Sequence, residues 1–320
     1  MASYSVNDFV EVRVSSTSAK GAGLFAKRDL EAGHRVICED PMLPSVSVSD
    51  SLSEEEKQQL ARLPAGPGDV FIVDASQVPD PSVLFRGGDQ LTSRVTYNEV
   101  KIATYPEGPM VGFHTAVASH SCMPNAYLCY NKATDSLDLH LVRDVKKDEE
   151  VTVSYFQDDY AFPKSVRAQK LQKWNYACPC SCCTTESTAS DSRRDHIKQL
   201  FSDYDQLTAI RILSNLEIGL GGEDVPPEED EYSWDLLDDL KQIVQLMKDE
   251  GLYGMAMTWV LVDLADRHDE VGDTQSQLAA MSEAVKIREM CLGVFHPDTR
   301  ALPSVIHEDR IPRGRACDWS

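Results

Sequence analysis

The sequence predicts an α+β protein: short strands with inserted helices in the first part, then an all-α array of helical hairpins. Three observations carry this reading. Before residue 190, apolar and polar residues alternate in several short runs. After it, apolar residues recur at three- and four-residue spacing. At the junction, four of the chain's nine cysteines crowd into Cys178-Pro179-Cys180-Ser181-Cys182-Cys183.

The strands come first. VEVRVSS (10–16) alternates as a half-buried strand does. GLFAKRDLEAGHRVICEDP follows, with Gly33 in a turn between two apolar runs. Ser53 and Glu56 form an S-x-x-E capping box, which starts a helix in EEEKQQLARL. LDLHLVRDV (137–145) and EEVTVSY (149–155) read as further half-buried strands, parted by the polar turn Lys146-Lys147-Asp148. Past residue 190, Ile197, Leu200, Phe201 and Tyr204 mark one helix. Leu236, Leu237, Leu240, Ile243, Val244 and Met247 mark a second. Leu252–Arg267 and Gln277–Leu292 give two more, and His296-Pro297-Asp298-Thr299 opens a last one. GGEDVPPEEDEY (221–232) reads as an acidic loop between them. The expected organisation is a first domain over 1–186, with an insert at about 44–110 and a cysteine-rich segment at 174–183; a helical domain over 190–310; and a tail over 311–320.

The 31 basic and 52 acidic residues give a formal net charge of −21. A nucleic-acid binder needs a basic face, so direct nucleic-acid binding is not expected; an acidic surface instead suits a basic partner. MASYSVNDFVEVRVSS lacks a basic start followed by an apolar run, and no window approaches the ~18 apolar residues of a membrane span. The expected setting is cytoplasmic, nuclear or both, without a membrane. Thiols stay reduced there, and clustered cysteines bind metal more often than they form disulfides.

A zinc site wants four sulfurs in a tetrahedron, and CPCSCC supplies at most part of one. Adjacent Cys182 and Cys183 strain to reach one ion, so one of them is spare. Cys38, Cys129 and Cys291 read as small buried hydrophobes, and Cys317 lies in the tail. Cys122, in the polar loop Ser119-His120-Ser121-Cys122-Met123-Pro124-Asn125-Ala126, has no packing reason and is the better ligand candidate.

At these residues a family resemblance emerges. SHSCMPNA resembles the NHSCxPNA motif of SET-domain methyltransferases. SAKGAGLFAKRDLEAGHRV resembles their GxG turn and the LFA strand after it, DEEVTVSY their GEExTxSY strand, and CPCSCC their post-SET cysteines. The motifs fall in family order over roughly residues 10–183. Their spacing and the helical C-terminal part resemble the SMYD branch, but without its MYND zinc module, since no cysteine lies between Cys38 and Cys122.

The resemblance implies a SET-type β-fold and an S-adenosylmethionine-dependent protein-lysine N-methyltransferase acting on a basic, lysine-containing protein. It implies one structural zinc on Cys122, Cys178, Cys180 and Cys183. It places Lys20, Gly21, Ala22, Gly23, Asn98, Ser119, His120 and Tyr176 around the cofactor, with Lys20 along the adenine and Tyr176 stacked on it. Tyr155 matches the catalytic tyrosine, and Val100 and Trp174 match walls of the substrate channel. Four departures stand out: Ser119 stands for the usual asparagine, Asp148 for a turn glycine, Val100 for an aromatic residue, and Trp174 for a tyrosine. A SET-fold enzyme acting on a small molecule, and a non-catalytic cofactor-binding SET protein serving as an interaction module, are the alternatives. Oligomeric state, substrate and degree of methylation are not encoded in these motifs.

Overall fold

The computed structural model describes residues 3–18, 20–41, 53–66, 69–81, 89–98, 100–102, 105–156, 162–184, 188–218 and 229–305. Among them the order is β1 (Ser3–Ser5), β2 (Val10–Val14), β3 (Ala22–Ala26), β4 (Arg35–Glu39), α1 (Glu54–Arg62) and α2 (Asp89–Asn98). Then come β5 (Val100–Ile102), β6 (Tyr105–Met110), β7 (Ser119–His120), β8 (Ala126–Asn131), β9 (Ser136–Leu141) and β10 (Glu150–Val153). The remainder is helical: α3 (Lys164–Leu171), α4 (Ser181–Thr184), α5 (Thr188–Ile218), α6 (Glu229–Asp249), α7 (Met255–Glu270), α8 (Thr274–Leu292) and α9 (Pro297–Val305). Cys317 lies outside the described residues, as does most of the expected acidic loop; its last residues, from Glu229, already belong to α6.

Three small sheets form, in the orders β1-β2-β3-β10-β7, β4-β9-β8 and β5-β6. The pairing that matters most is parallel: β7 lies beside β10 with Ser119 opposite Thr152 and His120 opposite Val153. It sets the polar loop that follows His120 against the end of EEVTVSY. Elsewhere the local chemistry acts as the sequence predicts. The Ser53–Glu56 capping box is complete, satisfying two orphan donors at the start of α1. Gly33 turns at φ 84°, a left-handed conformation that glycine adopts without steric cost.

One core lies between the sheets, built from Val10, Val12, Leu24, Leu137, Leu139, Leu141, Val151 and their neighbours. A second joins the helices to the opposite face of β8 through Tyr127 and Cys129. This corrects the reading of LDLHL as a half-buried strand, because every residue of β8 and β9 is buried. The polar positions of β9 face the helical layer instead of water. Asp138, 1 % exposed, is paired with Arg35 at 3.2 Å, and His140 is 4 % exposed. Cys38 also departs from expectation: opposite Asp138 on the edge strand β4, it is exposed, while Cys129 and Cys291 are buried as read.

The helical layer is locked to the sheets by one carboxylate. Glu250, at the end of α6, accepts from Ser190 Oγ at 2.6 Å, Arg193 Nε at 2.6 Å and Arg194 Nε at 2.8 Å. Arg194 then donates to the Cys122 carbonyl at 3.0 Å. Glu250→Ala strands a fully buried guanidinium, and is expected to lower the unfolding free energy by about 3–5 kcal/mol in a denaturant titration. His140 supplies a second test. Burial draws its imidazole down to about 4 from the usual 6.5. The unfolded chain therefore binds the proton first, and stability is lost as pH falls from about 6.5 towards 4. This group's share is on the order of 2 kcal/mol at the acid end. His140→Gln should flatten that part of the stability curve, read by urea unfolding at several pH values.

Candidate functional site

The site is built where β7, β10 and the cysteine-rich segment meet. The Sγ atoms of Cys122, Cys178, Cys180 and Cys183 all lie within 4.8 Å of one another. Cys122 Sγ is 3.5 Å from Cys183 Sγ and 3.9 Å from Cys178 Sγ. Tetrahedral zinc with ~2.3 Å bonds sets sulfurs ~3.8 Å apart, so this group could hold such an ion. Cys182 is buried beside the group, its Sγ 3.3 Å from Cys180 Sγ. Two buried arginines face the sulfurs: Arg167 Nη2 approaches Cys183 at 3.7 Å, and both Arg167 and Arg194 approach Cys182 at 3.9 Å. Neither arginine was singled out from the sequence. The signal for Arg194 was available, since it extends the apolar stripe of Ile197 and Leu200 back by one turn, a position where a cation is out of place.

His120 couples this cluster to Tyr155. Its Nδ1 accepts from the Tyr155 backbone N–H at 3.0 Å, which places the ring proton on Nε2, 3.3 Å from Cys122 Sγ. Burial lowers this imidazole to about 4, so the ring is neutral. The Tyr155 phenol donates to the Ala118 carbonyl at 2.9 Å, and burial pushes its pKa well up, so it keeps its proton at neutral pH.

Aromatic rings enclose this tyrosine. Trp174 lies 4.9 Å from it, centroid to centroid, and His120 5.3 Å. Trp174 and Tyr97 exchange hydrogen bonds, indole Nε1 to the Tyr97 carbonyl at 3.1 Å and Tyr97 phenol to the Trp174 carbonyl at 3.3 Å. Tyr176 donates to the His120 carbonyl at 3.1 Å, holding the cysteine-rich segment over β7. Val100 is placed only by its backbone, opposite Met110 in the β5-β6 pair.

The remaining candidates fall around the same centre. Lys20, 2 % exposed, donates from Nζ to the Ala116 carbonyl at 2.7 Å and lies 5.2 Å from the Tyr155 ring. Burial lowers its amine to about 7. Asn98 donates to the Pro64 and Arg94 carbonyls, each at 2.8 Å, while its buried Oδ1 has no partner among the described residues. Ala22 is buried in β3. The two glycines each have a reason within the protein. Gly21 has φ 70°, and a Cβ there would press on Val70. A Cβ on Gly23 would overlap the Glu150 carboxylate. Glu150 itself, passed over in the sequence as one letter of EEVTVSY, accepts from Ser119 Oγ at 2.5 Å.

The SET domain family model matches residues 21–156. Histone-lysine N-methyltransferase set5 of Schizosaccharomyces pombe is 24% identical over 202 residues, 61% of this chain and 57% of that protein. SET domain and MYND-type zinc finger protein 6 of the same organism is 36% identical over 75 residues, 23% of this chain and 15% of that protein. The chain thus spans little more than half of the first relative and a short segment of the second. With the parallel β7-β10 pair, the enclosed tyrosine and the motif order in agreement, residues 21–156 of this chain are a SET domain.

Proposed function

We propose that the protein is an S-adenosylmethionine-dependent protein-lysine N-methyltransferase whose substrate is basic. The observation that supports it most is the seating of Tyr155. Its phenol is held on the Ala118 carbonyl, with the Trp174 and His120 rings against it and Lys20 Nζ 5.2 Å from its ring. The donor would supply a methyl group already activated on sulfur. The chain would then have to align a neutral amine with that methyl and keep water out. A free lysine amine has a pKa near 10.4, and a dry aromatic channel lowers it, as burial already does for Lys20 in the same place. Tyr155, too weak an acid to act as a charged base, orients by dipole. Alignment of this kind contributes most of the acceleration.

The residues fit the donor. The unpartnered Asn98 Oδ1 offers a buried acceptor, and Tyr176 offers an aromatic face. Zinc on Cys122, Cys178, Cys180 and Cys183 would be structural, fastening the segment that carries Trp174 and Tyr176. The net charge of −21 suits a cationic protein substrate, and one relative is named a histone-lysine methyltransferase.

Metal analysis of fresh, reduced protein is expected to return one zinc per chain. Cys122→Ser should lose it together with the order of 174–183, since structural zinc contributes on the order of 10–16 kcal/mol in small zinc domains. Zinc-free wild type that keeps its melting temperature would end that assignment. For the reaction, radiolabelled methyl transfer into core histones and a cell lysate is expected to label protein bands. Tyr155→Phe should retain zinc and donor binding but transfer ~10²–10⁴-fold more slowly. Label appearing only in small organic products would move the substrate to a small molecule, and donor binding without transfer would leave an interaction module.

A further inference from the structure

Half-buried Glu150 is unlike the other buried or half-buried carboxylates of the described residues. Glu39 is saturated, accepting from the backbone and side chains of His114 and Thr115. Asp138 is paired with Arg35, and Glu250 with Arg193 and Arg194. Glu150 receives one hydroxyl, from Ser119, and among the described residues no lysine or arginine pairs with it. The cation best placed on that face is engaged elsewhere: Arg13, opposite Gly23 on β2, holds Glu11 and Asp148 at 2.5 Å each. A carboxylate in this position carries an uncompensated charge, and burial raises its pKa accordingly.

Its surroundings say which cation would compensate it. Glu150 pairs with Phe25 on β3, so its side chain shares a face with Gly23, two residues back. Its oxygen lies where a Gly23 side chain would be. Two residues assigned to the donor, Gly23 and Ser119, therefore bracket this one carboxylate. We propose that the Glu150 carboxylate binds the α-ammonium group of the methyl donor's amino-acid end, with Ser119 orienting it. The inference rests on the methyltransferase reading above. The ammonium is preferred to the sulfonium on two grounds. It brings three N–H donors for the free lone pairs of the carboxylate, whereas a sulfonium brings none. A carboxylate set against the reacting sulfur would also stabilise the ground state and slow transfer. Serine at 119, where the family carries asparagine, completes the arrangement: a hydroxyl donates to the carboxylate and leaves the ligand's cation to Glu150.

Calorimetry with three ligands tests it: S-adenosylmethionine, S-adenosylhomocysteine, which lacks the sulfonium charge, and 5′-methylthioadenosine, which lacks the whole amino-acid end. Glu150→Gln should weaken the first two by about ten-fold or more, the range of one charge-assisted hydrogen bond, and leave methylthioadenosine within two-fold. Ser119→Ala, which keeps the carboxylate, should retain the preference for homocysteine-bearing ligands over methylthioadenosine. Equal loss of all three ligands in Glu150→Gln would make the residue a structural support and overturn the proposal. So would unchanged affinities, or loss confined to S-adenosylmethionine, which would place the carboxylate at the sulfur. Wild type that binds none of the three would overturn the methyltransferase reading and this proposal together. Unchanged zinc content and melting temperature in both variants establish that the comparison is between folded proteins.

Discussion

Convergence of Cys122 with the 178–183 segment is the constraint on which the rest of the site depends. Four thiolates around one divalent ion would carry a net charge of −2, and a buried charge of that size needs compensation. Arg167 stands against Cys183, one of the four, and Arg194 against Cys182 beside them. Arg194 is itself held by Glu250, so the helical layer takes part in the electrostatics of the cysteine cluster. From the same junction hang the Tyr176 bond to His120, the Trp174–Tyr97 exchange and the tautomer of His120. Loosening the sulfurs would release the aromatic wall and the backbone that seats Tyr155 in one step.

The strands, caps and cysteine candidates were legible because each depends on neighbours a few residues away. The Ser53–Glu56 box, the Gly33 turn and the stripe of α6 follow from local chemistry alone. What was not legible depends on which surfaces meet. LDLHL reads as a strand with one wet face, yet α8 and the helices beside it cover that face and leave Asp138 and His140 dry. Cys38 reads as core because its neighbours Val36 and Ile37 are apolar, but it stands opposite Asp138 on the edge strand of its sheet and is left exposed. Glu150 was hidden for another reason. In EEVTVSY it occupies a position where a solvated carboxylate is ordinary, and only the approach of Gly23 and Ser119 gives it a role.

The departures from the family pattern take on physical content once placed. Asp148, standing where a glycine is usual, keeps the left-handed backbone at φ 68°. Aspartate tolerates that region better than most residues. Its carboxylate adds a bond to Arg13 that glycine could not make. Trp174 fills with an indole the place of a smaller ring, and its N–H finds the Tyr97 carbonyl, so the added bulk comes with its polar atom satisfied. Both substitutions are accommodated by their surroundings and leave Tyr155 enclosed.

The order of the second sheet, β4-β9-β8, leaves β8 as an edge strand. Edge strands present unpaired backbone groups to any passing chain, and proteins protect themselves by covering them. Here the cover is the C-terminal helices. The His296 ring, just ahead of α9, takes the Tyr130 carbonyl at 3.1 Å, and Tyr127 and Cys129 are sealed within the helical core. The C-terminal helices therefore act as a guard against intermolecular sheet growth. A SET half produced without them would leave that edge open to its own copies.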